Sequence, residues 1–141
     1  MTRLAEAEVR RRLAEARVAY LGTVTDEGAP HLVPVTFDLT GASLVIAVDH
    51  KPKRTTALAR LRNIAGNDKV SVLAEHYDDA DWAALWWARA DGRARVLTDE
   101  ADRVDPVRRL SAKYAQYREQ PPAGPVIWID VERWTGWAYS S

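Results

Sequence analysis

Apolar residues alternate with polar ones or form short continuous runs in several stretches of the chain, and both patterns predict β-strands. The predicted strands cover residues 18–25, 31–39, 43–48, 69–74, 83–97, 126–131 and 134–139. A turn at residues 26–30 joins the first two strands into a hairpin. Pro34 lies inside the second strand and has no N–H to donate, so we expect a sheet edge or a bulge there. Gly92 predicts a bulge in the fifth strand.

Three segments have helical periodicity instead. Residues 3–17 and 56–64 each place their apolar side chains on one face of a helix. A third helix is predicted to start at Asp105 and Pro106, because a capping Asp followed by proline at the first helical position is a favoured beginning. Its inner face carries side chains at helical spacing, namely Val107, Leu110, Tyr114 and Tyr117.

The order of these elements predicts a mainly β fold. Six or seven strands in mostly hairpin-adjacent order favour an antiparallel barrel decorated by about three helices over a doubly wound sheet. A length of 141 residues fits a single domain over residues 1–141, and an apolar content of 47% supports a folded core. The chain has no cysteine, which excludes disulfides, thiolate metal sites and a cysteine nucleophile.

Charge and hydropathy exclude several other classes of protein. No stretch approaches 18 uninterrupted apolar residues, so we expect no membrane span. Charged residues interrupt the N-terminal segment, which argues against a signal peptide. The balance of 20 basic and 20 acidic residues argues against a general nucleic-acid binder. The expectation is a cytoplasmic protein.

Positive charge is concentrated between residues 51 and 67, which hold five basic residues and no acidic one. The five are Lys51, Lys53, Arg54, Arg60 and Arg62. The run begins between a strand and a helix that Thr55 or Thr56 can cap. Helix amides and the helix dipole favour an anion there, and lysine and arginine add full charges. The run predicts either a site for a phosphate or polycarboxylate ligand or a solvated basic turn.

No catalytic constellation is found in the sequence. His31, His50 and His76 lack the spacing of metal ligands, so no metal site is predicted, although His50 borders the basic run. The acidic residues within 75–81 predict a solvated loop, with a cation-binding loop as the alternative. Neither a G-x-G-x-x-G nor a Walker motif is present.

Trp86 and Trp87 are adjacent in a predicted strand, so their side chains must face opposite sides of the sheet. Both cannot enter one core. The other tryptophan is therefore expected to line a subunit interface or a ligand cleft.

Several segments, taken in order, resemble one family. They are YLGTV at 20–24, GAPHLVPVTF at 28–37, LVIAV at 44–48, DHKPKRT at 49–55, LRNI at 61–64, KVSVL at 69–73 and WWARADGRA at 86–94. The series resembles the pyridoxamine 5′-phosphate oxidase-like, flavin/deazaflavin oxidoreductase superfamily over residues 3–140. Within it, the run at 50–55 with LRNI and the tryptophan pair is similar to the actinobacterial subgroup described as using the deazaflavin coenzyme F-420.

The resemblance implies an FMN-binding split β-barrel, antiparallel and Greek-key-like, that forms a homodimer with two cofactor sites at the interface. It implies that the cofactor phosphate or acidic tail is held by Lys51, Lys53, Arg54 and Thr55, with His50 beside them. It implies that the ring is lined, partly through backbone groups, by Val33, Pro34, Val35 and Thr36. Trp87, or Trp86, would approach the ring or the partner subunit. Which of the three cations meets the phosphate stays open, and no catalytic or metal-binding side chain is implied.

The implied function is an F-420-dependent oxidoreductase that transfers a hydride to a small organic acceptor. An FMN-binding oxidase or reductase of the same fold is one alternative. A cofactor carrier without turnover is another, because a hydride carrier requires no general base and the sequence shows none. A dimeric barrel whose basic corner binds any anion is the fourth. The residues specific to pyridoxal phosphate in the true oxidases are not identifiable here, which argues against pyridoxamine phosphate as substrate.

Overall fold

The structure is a computed structural model that describes residues 2–48 and 55–140, with the side chains of residues 55–58 outside that description. Within these ranges eight strands form one sheet: β1 (Thr2–Arg3), β2 (Ala19–Val24), β3 (Pro30–Val35), β4 (Asp38–Thr40), β5 (Ser43–Ala47), β6 (Lys69–His76), β7 (Trp86–Leu97) and β8 (Val126–Ala138). The helices of the same ranges are α1 (Glu6–Glu15), α2 (Thr55–Gly66), α3 (Glu100–Lys113) and α4 (Ala115–Glu119), with a 3₁₀ turn at Trp82–Ala84.

The sheet is antiparallel and follows the order β3-β2-β6-β7-β8-β5-β4, with β1 added beside β8. If it were flat, strands about 4.8 Å apart would hold β3 and β4 roughly 29 Å from each other. Only Thr36 and Phe37 join these two strands, and such a link spans on the order of 10 Å. The sheet must therefore curl until its ends meet. Because β3 and β4 are not paired in the described chain, the result is a barrel split along that line, which confirms the predicted fold class.

Apolar side chains from both halves of the sheet fill the barrel, and two helices pack against this core. The largest fully buried side chains inside are Leu21, Phe37, Leu44, Ile46, Val72, Ile127 and Ile129. Val9 and Leu13 of α1 and Ile64 of α2 pack against them. The predicted amphipathic faces of the first two helices are therefore the faces that enter the core.

A second, smaller core lies outside the barrel wall, under α3. Val45 of β5 and Val126 of β8 pack there against Leu110, and all three are fully buried. This explains why β5 reads as a nearly continuous apolar run. Its even and odd positions are both covered, by the barrel interior on one face and by α3 on the other.

An irregularity is found at the predicted position, Gly92, but the extra residue belongs to the partner strand β8 and not to β7, where the bulge was predicted. The register between β7 and β8 shifts between Asp91 and Gly92, and Glu132 of β8 has no partner residue. A Cβ at position 92 would lie 2.2 Å from the backbone oxygen of Asp130, so only glycine fits this close approach of two strands.

Two predicted strand boundaries are wrong. The single strand predicted over 31–39 is two strands, β3 and β4, separated by Thr36 and Phe37. Val35, Phe37 and Leu39 are all buried, so the period of two continues across the break and hides it. The two strands predicted at 126–131 and 134–139 are instead one strand, β8, whose irregularity at Glu132 resembles a turn in the sequence.

The predicted start of the third helix at Asp105 and Pro106 is also wrong. Helix α3 begins at Glu100, after Asp99, and Pro106 lies inside it. Acidic residues in its first turn, Glu100 and Asp102, suit the positive end of the helix dipole. The predicted inner face is confirmed, although Tyr114 lies between α3 and α4 and Tyr117 belongs to the separate helix α4.

None of the helices in residues 2–48 and 55–140 is both long enough and apolar enough to cross a membrane.

Candidate functional site

A cavity of ≈ 430 Å³ opens where the barrel is split, between the ends of β3 and β5. That volume is within the range of small-molecule and cofactor pockets. Its lining consists of Val18, Pro34, Val35, Thr36, Ala47, Val48, Arg60, Tyr117 and Pro122. Six of these nine residues are apolar, and the three polar ones come from β3's end, α2 and α4. The cavity, called the split cavity below, can therefore take a flat apolar body with a few polar groups.

The backbone of β3 borders the split cavity as a free sheet edge. Pro34 lies opposite Tyr20 in the register with β2, and without an N–H it cannot belong to a pair that exchanges two hydrogen bonds. Because bonded and non-bonded pairs alternate, the carbonyls of Leu32 and Pro34 point away from β2. The edge predicted from Pro34 is confirmed, since β3 ends the strand order.

A pair of hydroxyl groups supplies polar atoms to the otherwise apolar wall of the split cavity. Thr36 Oγ1 and the Tyr117 hydroxyl lie 2.8 Å apart, and either can be the donor. The ring of Tyr117 packs edge-on against Tyr114, with ring centroids 5.7 Å apart. The Tyr114 hydroxyl accepts from the Phe37 N–H at 3.2 Å and lies 2.9 Å from the carbonyl of Arg17 and 3.1 Å from that of Phe37. The two tyrosines thus tie α3 and α4 to the link that joins the ends of the sheet.

Two arginines of α3 hold the outer wall of the split cavity. Arg109 is buried, and its guanidinium donates to Asp38 Oδ2 at 2.8 Å and to the Oγ and backbone oxygen of Ser43 at 3.0 and 2.7 Å. Arg103 donates to the carbonyl oxygens of Pro122 and Gly124 at 2.6 and 2.8 Å. The first set fixes α3 on β4 and β5, and the second fixes the segment that supplies Pro122.

A charged group lies behind this wall. Lys113 Nζ donates to the Ala16 carbonyl at 2.7 Å and sits 4.0 Å from the ring centroid of Phe37. Burial lowers the pKa of the Lys113 ammonium to about 8, although the nearby Asp38 carboxylate opposes the shift. Burial also raises the pKa of the Tyr114 phenol.

The structure brings three of the ring-lining residues predicted from the resemblance together. Pro34, Val35 and Thr36 all line the split cavity. The side chain of Val33 packs against the barrel core, and by the same alternation its N–H and C=O face Leu21 of β2, so Val33 is not among the described residues that line the cavity.

Trp87 lies elsewhere in this chain. It faces the outside of the barrel, opposite Trp137 in β8 and Glu75 in β6, while Trp86 packs against the core. The opposite orientation of the two tryptophans is therefore confirmed. Both line a smaller cavity of ≈ 220 Å³ together with Glu75, His76, Tyr77 and Leu85.

The rest of the predicted site falls largely outside the described residues. His50, Lys51, Lys53 and Arg54 lie outside them, and Thr55 is described only as the first residue of α2. Two further cations of the basic run are described: Arg60 reaches the split cavity, and Arg62 lines a cavity of ≈ 380 Å³ beside His31 and Asn63. Within the described ranges, no three His, Cys, Asp or Glu side chains come close enough to hold a metal ion.

Sequence reasoning missed the part of the site that comes from the C-terminal half. Tyr117 was expected on the inner face of a helix, and it is there, but its hydroxyl reaches Thr36 across 81 positions of sequence. Pro122 lies in a proline-rich segment that predicts only a stiff linker. The one available signal was the aromatic pair itself, because a buried tyrosine requires a partner for its hydroxyl.

The curled antiparallel sheet, its unpaired ends and the cavity between them define a split β-barrel of the pyridoxamine phosphate oxidase type. The chain belongs to the pyridoxamine 5′-phosphate oxidase family, whose sequence profile matches residues 5–138. No curated protein sequence matches the chain.

Solved structures show the same fold at low sequence identity. A conserved hypothetical protein of Mycobacterium tuberculosis, Rv2991, is 17% identical with a TM-score of 0.76, over 96% of this chain and 85% of that one. A FAD-binding protein of Mesorhizobium loti is 20% identical with a TM-score of 0.73, over 96% and 95% of the two chains. A heme-binding protein of Mycobacterium smegmatis is 24% identical with a TM-score of 0.70, over 100% of this chain and 57% of that one.

Proposed function

We propose that the protein binds a flavin-type cofactor in the split cavity and works as an oxidoreductase, with the deazaflavin coenzyme F-420 as the first candidate. The observation that carries this proposal is the split cavity itself, which has apolar walls, one hydroxyl pair and a guanidinium at the open seam of the barrel. We also assign the protein to the cytoplasm, as expected from the sequence.

The described residues fit such a cofactor. A flat ring system needs apolar surfaces on its faces, and Val35, Val48 and Pro122 supply them. Its polar edge needs a few donors, which Thr36 and Tyr117 can provide. Arg60 extends the basic run to the cavity, so an anionic tail would meet positive charge close to the ring.

Among the described residues that line the split cavity there is no carboxylate and no histidine. The chemistry that a bound deazaflavin supplies is transfer of a hydride, two electrons with one proton, to an electron-poor organic acceptor that takes its second proton from water. For that reaction the residues of this chain need only bind, orient and exclude water from the ring. The absence of a general base from the lining is therefore compatible with catalysis.

A flavin is the second candidate, and the FAD-binding relative from Mesorhizobium loti favours it. Flavin and deazaflavin rings have the same outline and make the same demand for apolar walls. A third candidate is a cofactor carrier without turnover, which would use the same cavity.

We also propose that the protein is a homodimer with the split cavity at the subunit interface. Val18, Tyr20 and Leu32 are 49%, 40% and 73% exposed, which is unusual for neighbouring apolar residues of one sheet face. Val18 lines the split cavity as well. A partner that covers this face would therefore also cover the mouth of the cavity.

The proposal is tested by titrating the full-length protein with F-420, FMN and FAD side by side and measuring Kd by fluorescence and absorbance. Tight binding of F-420 supports the first candidate, and tighter binding of FMN or FAD supports the second. Binding of none of the three contradicts the proposal. Steady-state oxidation of reduced F-420 with quinones, enones and tetrapyrroles then separates an enzyme from a carrier.

A second measurement tests the predicted grip on the cofactor tail. Replacing Lys53 and Arg54 together by alanine should weaken binding of F-420 by on the order of 2–4 kcal/mol, if each makes a charge-assisted bond. The matched control replaces Arg93 and Arg95, two exposed cations of β7, by alanine. If the two double variants bind F-420 with equal affinity, the basic run does not contact the cofactor.

A further inference from the structure

The hydroxyl pair in the split cavity has one donor more than the described residues of the protein use. Thr36 and Tyr117 each carry one O–H, and the 2.8 Å contact between them uses one of the two. Among the described residues, no acceptor is found for the other. Both residues are only half-buried at the cavity wall, so this second O–H can donate to a molecule that enters the cavity.

The neighbouring Tyr114 shows what a purely structural tyrosine looks like in this protein. Its hydroxyl accepts from one backbone N–H and lies within donating distance of two backbone carbonyls. Its capacity is used within the fold. The ring of Tyr117 packs edge-on against the ring of Tyr114, but Tyr117 also lines the cavity and its hydroxyl bonds Thr36 there.

The backbone around Tyr117 is fixed, so the position of its hydroxyl is set before any ligand binds. The Ser111 hydroxyl donates to the Tyr117 carbonyl at 3.2 Å, and Arg118 donates to the carbonyls of Ser111 and Ala112 at 3.0 and 3.1 Å. These contacts join α4 to the last turn of α3. Arg109 in turn holds α3 on the sheet.

We propose that Tyr117 is a cofactor-positioning residue: the unused O–H of the Thr36–Tyr117 pair donates to a carbonyl oxygen on the edge of the bound ring. This inference rests on the proposed function. Flavin and deazaflavin rings both carry a pyrimidinedione, whose carbonyl oxygens are acceptors of the required kind. Thr36 follows β3 and Tyr117 belongs to α4, so the bonded pair holds the donor at one point of the cavity wall.

The test compares Kd for whichever cofactor the wild-type protein binds with Kd for four variants. Tyr117→Phe removes the positioning hydroxyl and should weaken binding about tenfold, the effect of losing one neutral hydrogen bond. Thr36→Val removes only the group that holds the Tyr117 hydroxyl in place and should weaken binding by a smaller factor. Thr36→Ser keeps the hydroxyl and should bind like the wild type. Tyr139→Phe alters an exposed tyrosine that is absent from the cavity lining and should change nothing.

Two further readouts separate positioning from folding. The absorbance maximum of the bound cofactor should shift in Tyr117→Phe, because a hydrogen bond to a ring carbonyl alters the chromophore, and thermal unfolding of the free variants should stay near that of the wild type. Wild-type affinity and spectrum in both Tyr117→Phe and Thr36→Val would overturn the inference while leaving the proposed function in place. A wild-type protein that binds no cofactor would instead overturn the proposed function.

Discussion

Lys113 is a single charged side chain whose protonation couples to folding. Burial lowers the pKa of its ammonium from 10.5 to about 8, against the opposing attraction of Asp38. Between pH 8 and 10.5 the unfolded chain therefore holds a proton on Lys113 that the folded chain has lost. Stability contributed by this residue must rise with pH across that window, because the unfolded state binds more protons there.

We predict that the free energy of unfolding of the wild type, relative to a Lys113→Met variant, increases between pH 8 and pH 10. Since Lys113 is only about half buried, solvent screening reduces the expected gain to on the order of 1 kcal/mol. Urea unfolding followed by tryptophan fluorescence measures it. The exposed Lys69→Met variant serves as control and should show no such change. Parallel pH profiles for the wild type and Lys113→Met would contradict the assignment.

Single residues predicted the structure well where their chemistry allows only one backbone arrangement. Pro34 lacks an N–H and Gly92 lacks a Cβ, so the edge and the bulge followed from their chemistry. Tyr117 gave no comparable signal, because a tyrosine on a helix face has the same pattern whether its hydroxyl meets backbone or a cavity.

Helix α3 is the element on which the wall of the split cavity depends, and Arg109 attaches it to the sheet. The guanidinium is 7% exposed and is paired with Asp38, Ser43 and the face of Trp128. Removing it would leave the largely buried Asp38 carboxylate without its cation. Breaking a buried pair in this way is costly, since the remaining charge is not solvated.

Arg109→Ala should therefore lower the free energy of unfolding by about 3–5 kcal/mol. The adjacent Arg108 is a matched control on the same helix, because its bond to Asp105 is exposed. Arg108→Ala should cost at most about 1 kcal/mol. Urea unfolding of both variants at pH 7 measures the two free energies of unfolding. A similar decrease in both would show that Arg109 does not anchor α3 to the sheet.

Element boundaries were less predictable than element types, for reasons visible in the chain. Asp105 and Pro106 have the sequence of a helix start, but α3 continues through them. A proline inside a helix removes one hydrogen bond and its ring crowds the carbonyl four residues earlier, and the packing of Leu110 against Val45 and Val126 favours the helix in spite of that cost. The break at Thr36 and Phe37 is set by the closure of the whole sheet, which no local pattern records.

On the scale of the whole molecule, the split cavity collects residues that lie far apart in the sequence. The hairpin, the strand β5 and the basic run could be interpreted as one cofactor site only through the family resemblance. The contribution of α4 required the three-dimensional path of the chain. Tyr117 reaches the cavity because α3 packs on β4 and β5 before the chain continues into α4.

The exposed apolar face of β2 and β3 leads to a prediction about assembly. Val18, Tyr20 and Leu32 lie on one side of the barrel wall, and the side chain of Leu32, at 73%, is the most exposed large apolar residue there. If this face is the interface of a homodimer, a charge at its centre must be desolvated in the dimer but not in the monomer. Leu32→Asp should therefore dissociate the dimer while the barrel stays folded.

Sedimentation velocity of the wild type and Leu32→Asp measures the mass directly. Val104→Asp is the matched control, because Val104 is 64% exposed but lies on α3, away from β2 and β3. We expect the wild type and Val104→Asp to sediment as dimers and Leu32→Asp as a monomer with unchanged circular dichroism. Because Val18 also lines the split cavity, Leu32→Asp should weaken cofactor binding as well. A dimeric Leu32→Asp protein would place the interface on another face.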